Sequence, residues 1–303
     1  MKKFIVKFIV YSLSLVFFLL FGAKLISMAV KKINFKNYET ESNLLVIKEN
    51  KKYDFLFMGI SHARNFSRHK NHLRLDTILN MNFINIAQGG GLCGVNEQYF
   101  YLKYFYKKRN KTNQVVYILS PPMLFHTGLP IASKTFDFEP FEFDFFLNYI
   151  FFKSRNKTQR LYSYVNSKYT LEWINLRPKS FNKKQTHLLK LDSAKVTDGL
   201  NSTYKKGLAN WQFARSSVIV DQTIQLIVDN NSSCILIIPP ALFGKWNGHN
   251  ETVEFAEEMK KKYGVKVFDY SESVLDPKYY YDHHHLNSDG VMFFSSKYLL
   301  PIL

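Results

Sequence analysis

The residues best placed to do chemistry are a serine near the start of the chain and an Asp/His pair near its end. Ser61 stands in Phe55-Leu-Phe-Met-Gly-Ile-Ser-His-Ala-Arg64, an apolar run that stops at Gly59 and turns polar at once. The pattern predicts a short buried strand that presents a serine at its carboxyl end, the edge where open α/β sheets place ligands and chemistry. A serine hydroxyl attacks only when a base takes its proton. Tyr281-Asp-His-His-His-Leu-Asn-Ser-Asp-Gly290 supplies that base. Asp282 and His285 are three apart, which puts both side chains on one side of a tight turn. The carboxylate then holds the imidazole in the tautomer that accepts the Ser61 proton. Acyl transfer also needs N–H donors for the developing oxyanion. The Ser61 backbone N–H is one candidate, and a glycine N–H of the Gln88-Gly-Gly-Gly91 turn, Gly90 in particular, is another.

Other residues near these motifs read as structural. His62 is a surface or structural histidine, with a place beside Ser61 as the alternative. Arg64 is a solvated charge or helix partner rather than an anion clamp. The run His283–His285 reads as a solvated loop, with adventitious metal ligation as the alternative; its one adjacent carboxylate, Asp282, argues against a built metal site, and neither a metal nor a cofactor is expected.

Strands must bring Ser61 and His285 together across the chain. They are expected at 53–58, 83–87, 115–119, 234–238 and 265–268. Helices are expected at 62–79, 95–106, 216–230 and 251–263, with a last one capped by Asn287 or Ser288 and running through Leu299. Residues 107–113 read as a solvated turn. Strands alternating with helices imply right-handed crossovers and a mostly parallel sheet, hence an α/β fold. The 115–119 and 234–238 segments each end in Pro-Pro, one residue and Leu-Phe, so they are read as parallel neighbours ending on the same edge. Residues 126–215 break the alternation. They open with an aromatic-acidic run, 136–146, then turn basic, and read as an insertion over the sheet edge or the site mouth.

The 303 residues carry a net charge of +17. Six basic residues lie in the first 32 positions, which contain no acid, so the rest still carries +11. A basic body suits anionic surroundings such as lipid headgroups or acidic glycans. Nucleic acid is discounted, because no nucleic-acid-binding signature is present and a membrane segment comes first. That segment runs from about residue 4 to 30, long enough to span if Lys24 snorkels. The alternative is a cleaved signal peptide with Ser27-Met-Ala29 at the cleavage site. Either way the bulk of the chain is exported, and the N-terminal lysines keep that end cytoplasmic. The organisation expected is an anchor or signal at 1–32, a linker at 33–52, and one domain at 53–303 carrying the insertion. Cys93 and Cys234 are either a disulfide pair or two small buried residues.

Gly59-x-Ser61, the Asn85-Ile-Ala-Gln-Gly-Gly90 turn and Asp282-x-x-His285 resemble, in order and approximate spacing over about 53–300, the three blocks of the SGNH (GDSL-like) hydrolase superfamily. With the N-terminal anchor and Asp-x-x-His-Leu-Asn, they resemble more narrowly a membrane-attached branch that includes proteins of alginate O-acetylation and teichoic-acid D-alanylation. The resemblance implies a three-layer α/β/α, SGNH/flavodoxin-like fold. It also implies a Ser61–His285–Asp282 triad and oxyanion contacts from Ser61 and Gly90. Two blocks depart from the pattern. Gly59 and Ile60 stand where the superfamily has an aspartate before the serine, and Ser120-Pro-Pro122 replaces its Gly-x-Asn-Asp block. The expectation is a membrane-anchored serine esterase or O-acyltransferase acting on acyl, chiefly acetyl, esters of a cell-surface polysaccharide. The transferase version implies a membrane-bound partner protein that delivers acyl groups. The alternatives are a non-catalytic glycan-binding or assembly subunit, favoured by the missing block, and a lipid esterase, favoured by the aromatic insertion.

Overall fold

The computed structural model describes residues 1–34, 42–89, 93–175, 186–204 and 207–303. They fall into two units, Met1–Tyr38 with Ser133–Lys179, and Glu39–Ala132 with Ser180–Leu303.

The larger unit is built on five strands: β1 (Lys52–Met58), β2 (Phe83–Asn85), β3 (Lys111–Ile118), β4 (Ser233–Ile238) and β5 (Lys266–Asp269). Their order is β2-β1-β3-β4-β5 and every pairing is parallel. Phe55–Met58, Val115–Ile118 and Cys234–Ile238 are buried without a polar alternation. That is the signature of strands covered on both faces. One face presents Phe55, Phe57, Val116, Ile118, Ile235 and Ile237. Leu75 and Leu79 of the helix Asn71–Leu79, and Val291 and Phe294 of the helix Ser288–Phe294, pack on it. The helices Val95–Lys107, Asn210–Asp229 and His249–Tyr263 form the other layer. The sequence direction of the sheet reverses between β1 and β3. In such sheets the crevice beyond the carboxyl ends of those two strands is the natural ligand site.

Several elements differ from the sequence-based expectation. β3 begins at Lys111, inside the stretch read as a solvated turn. Its first residues are polar because they lie at the amino edge of the sheet, yet their backbone pairs Lys52 with Lys111 and Tyr53 with Thr112. The single helix expected at 62–79 is divided into a turn at Ser61–Arg64, a short helix at Arg68–Lys70 and the helix Asn71–Leu79. His69 and Lys70, both at positive φ, break it. The helix expected from 216 begins at Asn210, and another covers Ser193–Thr203. Regular structure therefore reaches well into the stretch read as an insertion. The linker contains a buried helical turn at Asn43–Val46, capped by Ser42 and held by Asn43, whose side-chain N–H donates to the Ile86 carbonyl at 2.8 Å. Asn287 is the cap of the last helix, accepting from the Gly290 N–H at 2.9 Å. Cys93 and Cys234 are buried free thiols.

The smaller unit joins the N-terminal helix Lys2–Asn34 to the aromatic run. The helix is long and apolar enough to cross a membrane. Phe136, Phe141, Phe145, Tyr149 and Tyr164 bury their rings against one another, mostly edge to face. Arg160 is wholly buried among them and donates to the Tyr149 and Ser154 hydroxyls and the Arg155 carbonyl. The Phe141 N–H donates to Ser27 Oγ at 2.8 Å, and Lys24 pairs with Glu142. The lysine read as snorkelling thus has a carboxylate partner of its own.

Gly59 ends β1 with φ of +140°, and a Cβ built there would lie 2.7 Å from the Ile118 carbonyl oxygen. Both the dihedral and the strand-to-strand approach demand glycine. Gly59→Ala is expected to cost at least about 1–3 kcal/mol, measured as a lowered urea midpoint with an unchanged m-value.

Candidate active site

Gly59 turns the chain out of β1, and Ser61 becomes the first residue of the helical turn that follows. The first N–H groups of such a turn have no intrahelical acceptor, so the Ser61 N–H points outward at the carboxyl edge of the sheet. The other half of the site is the loop between a short helix at Pro277–Tyr279 and the last helix. The loop doubles back on itself. The Tyr281 N–H donates to the His285 carbonyl, and Tyr280 bridges Leu286. It is tied to the sheet edge from two sides. The Leu242 N–H donates to the His283 carbonyl, and the Asn65 side chain donates to the Leu286 carbonyl at 3.3 Å.

These ties bring together residues 224 apart. Ser61 Oγ lies 2.7 Å from His285 Nε2, and His285 Nδ1 lies 2.7 Å from Asp282 Oδ2. Asp282 Oδ1 accepts from the backbone N–H of His284 and of His285, at 3.0 and 2.7 Å. Burial alone would raise the Asp282 carboxyl. The hydrogen bond from His285, the neighbouring imidazoles and the His284 N–H outweigh it and hold the group well below the usual carboxylate range. An ionised Asp282 accepts a hydrogen bond from the Nδ1–H of His285, which leaves the Nε2 lone pair for the Ser61 hydroxyl. The Tyr281 ring stacks parallel on His285 at 5.4 Å and limits its rotation.

The structure places the remaining candidates as follows. Gly90 lies outside the described residues. Gly89 lies under the Arg68 guanidinium. Arg64 is buried, not solvated, and its Nη1 donates to the Asn85 and Ala87 carbonyls at 3.1 Å each. It fixes the chain leaving β2. His62 is buried beside the site. Its ring centroid is 4.9 Å from that of His285 and 5.5 Å from that of His284, and Trp246 closes edge-on against both His62 and His284. Sequence reading offered His62 a place beside Ser61 but did not join it with His284 and His285 into one cluster; the signals were the position of His62 next to Ser61 and the run His283–His285.

A second Ser/His/Asp group, Ser271, His249 and Asp269, has different geometry. Asp269 Oδ2 at 2.9 Å and Ser271 Oγ at 3.2 Å both face the same ring atom, His249 Nε2. An imidazole relays a proton only between its two nitrogens, so this group is a structural tie between the helix His249–Tyr263 and the end of β5.

No family model matches the chain, and no curated protein matches it. Among solved structures it is similar to a proposed acylhydrolase from Bacteroides fragilis, with a TM-score of 0.41 and 11% sequence identity, over 84% of this chain and 90% of that one.

Burial, with the neighbouring His285, keeps His62 and His284 neutral. Both are depressed from the ordinary 6.5, His284 to about 3. The unfolded chain binds these protons at a higher pH than the folded one. The stabilising contribution is therefore complete above about pH 6.5 and is lost as pH falls toward about 3. His284→Gln is expected to flatten that acid limb in a plot of urea midpoint against pH.

Proposed function

We propose that the chain is a serine acyl-ester hydrolase or O-acyltransferase. The observation that carries this reading is the unbroken hydrogen-bonded line Ser61–His285–Asp282, with a single acceptor lone pair aimed at the serine hydroxyl. In the reaction, His285 Nε2 takes the Ser61 proton as Oγ bonds to the acyl carbon. It returns that proton to the leaving alkoxide when the ester C–O bond breaks. Water, or a sugar hydroxyl, then loses a proton to His285 and attacks the acyl-enzyme; the acyl–Oγ bond breaks, His285 returns the proton to Ser61 Oγ, and the acid or the new sugar ester leaves. Asp282 stays ionised and stabilises the imidazolium at each stage. The Ser61 N–H, with Gly90, serves as the oxyanion donor pair.

The proposed setting is the outer side of a membrane, with Lys2–Asn34 as anchor. The large apolar side chains from Phe4 to Phe21 are mostly exposed on this helix, and lipid is the surrounding that suits them. A basic body beyond the anchor favours an anionic cell-surface polysaccharide as carrier of the acyl, chiefly acetyl, group. In the transfer direction a membrane-bound partner protein supplies the acyl group.

The test is active-serine labelling of the full chain in detergent with a fluorophosphonate probe. Wild type is expected to label, Ser61→Ala and His285→Ala to show none, and Asp282→Asn to label about 10²–10⁴-fold more slowly. A folded wild type that does not label overturns the reading.

A further inference from the structure

We propose that His62, His284 and His285 form a binding site for a divalent transition metal, zinc being the best match, and that the ion takes His285 away from Ser61. One ring nitrogen from each of the three lies within 4.8 Å of the other two. The His284 and His285 rings are 4.0 Å apart between centroids. Nitrogens bound to one tetrahedral ion at about 2.0–2.1 Å stand about 3.4 Å apart, so the three rings close on an ion by drawing together by about an ångström. Zinc favours imidazole nitrogen, and three histidines with one open position is an established zinc donor set.

His62 supplies the independent observation. It is only 7% exposed, and apart from an approach to the His284 backbone neither ring nitrogen makes a hydrogen bond of good geometry. Buried polar atoms are rarely left in that state, because the cost of desolvation goes uncompensated. A metal bound by His62 supplies the partner. A small cavity lined by His62, His284, Asn65, Phe66 and Leu286 adjoins two of the rings. Trp246, edge-on to both, restrains their planes.

His285 joins the set through Nε2, since Nδ1 is held by Asp282. A carboxylate on the far nitrogen of a ligating imidazole orients the ring and raises its basicity toward the metal. The Asp282 contact that prepares His285 to accept a proton therefore prepares it equally to bind an ion. Nε2 has one lone pair, so the two uses exclude each other. The metal site does not depend on the serine chemistry. Its consequence, reversible inhibition, rests on the acyl-transfer reading above.

The experiment uses the full chain in detergent, stripped with EDTA and titrated with Zn²⁺ by calorimetry, and with Co²⁺ by visible absorption. One equivalent of Zn²⁺ and d–d bands of a low-coordinate Co²⁺ site are expected. His62→Gln and His284→Gln, each confirmed folded by circular dichroism, are expected to bind at least about tenfold more weakly, and Asp282→Asn about 10–100-fold more weakly. Ser61→Ala, which frees Nε2, is expected to keep binding. Zinc is expected to suppress fluorophosphonate labelling of wild type, and EDTA to restore it. Absence of one-equivalent binding, or binding unchanged in both His62→Gln and His284→Gln, overturns the site. Saturating zinc that leaves labelling intact overturns the inhibitory role. A metal-free wild type that fails to label counts against the serine chemistry alone, because the titration still decides the metal site.

Discussion

The close approach of Gly59 to the Ile118 carbonyl is the constraint on which the rest of the site depends. β1 and β3 are neighbours in a parallel sheet, so their carboxyl ends emerge side by side. A side chain at position 59 would hold those ends apart. Glycine lets the chain leave β1 against β3 and turn at once. That turn places the Ser61 hydroxyl over the sheet edge, where a loop from the far end of the chain can reach it. The ties that hold the loop there, from Asn65 and Leu242, are backbone-directed. They set its position with little dependence on which side chains it carries. The chemistry of the loop is thus free to reside in Asp282, His284 and His285.

Electrostatically, the edge is one buried and two half-buried imidazoles around one anion. Asp282 holds its charge despite burial because three hydrogen bonds converge on it, two from backbone N–H groups and one from His285. His62 and His284 receive no such support and stay neutral. They are also, in the neutral form, metal ligands in waiting. Proton transfer and metal capture are competing uses of one geometry.

The smaller unit follows a different logic. A long apolar helix would be expected to stand apart from the folded chain, yet its last third carries Lys24 and Ser27, and both are answered by residues more than a hundred positions later. The Tyr169 hydroxyl reaches the Leu19 carbonyl of the same helix. The aromatic-acidic run is therefore the core of the unit that seats this helix. Two of its acids have definite partners, Glu142 in Lys24 and Asp137 in the Ser163 hydroxyl.

Much of this was legible in the sequence because it follows from local pattern. Apolar runs ended by glycine or Pro-Pro announce buried parallel strands and where they stop. Asp282-x-x-His285 announces a carboxylate beside an imidazole, since three residues of backbone cannot separate them far. Asn287 announces a helix start because its side chain satisfies an N–H within its own turn. Tertiary structure alone decided three things. It set the strand order beyond the β3–β4 pair that the shared Pro-Pro endings announce, because that order rests on crossover paths. It buried Arg64, whose guanidinium is satisfied by carbonyls at Asn85 and Ala87 that no local pattern can supply. It also gathered His62 with His284 and His285. Periodicity reports which way a side chain points within its own element. It carries no information about which distant element comes to meet it, and the imidazole cluster exists only because two chain ends are folded onto one sheet edge.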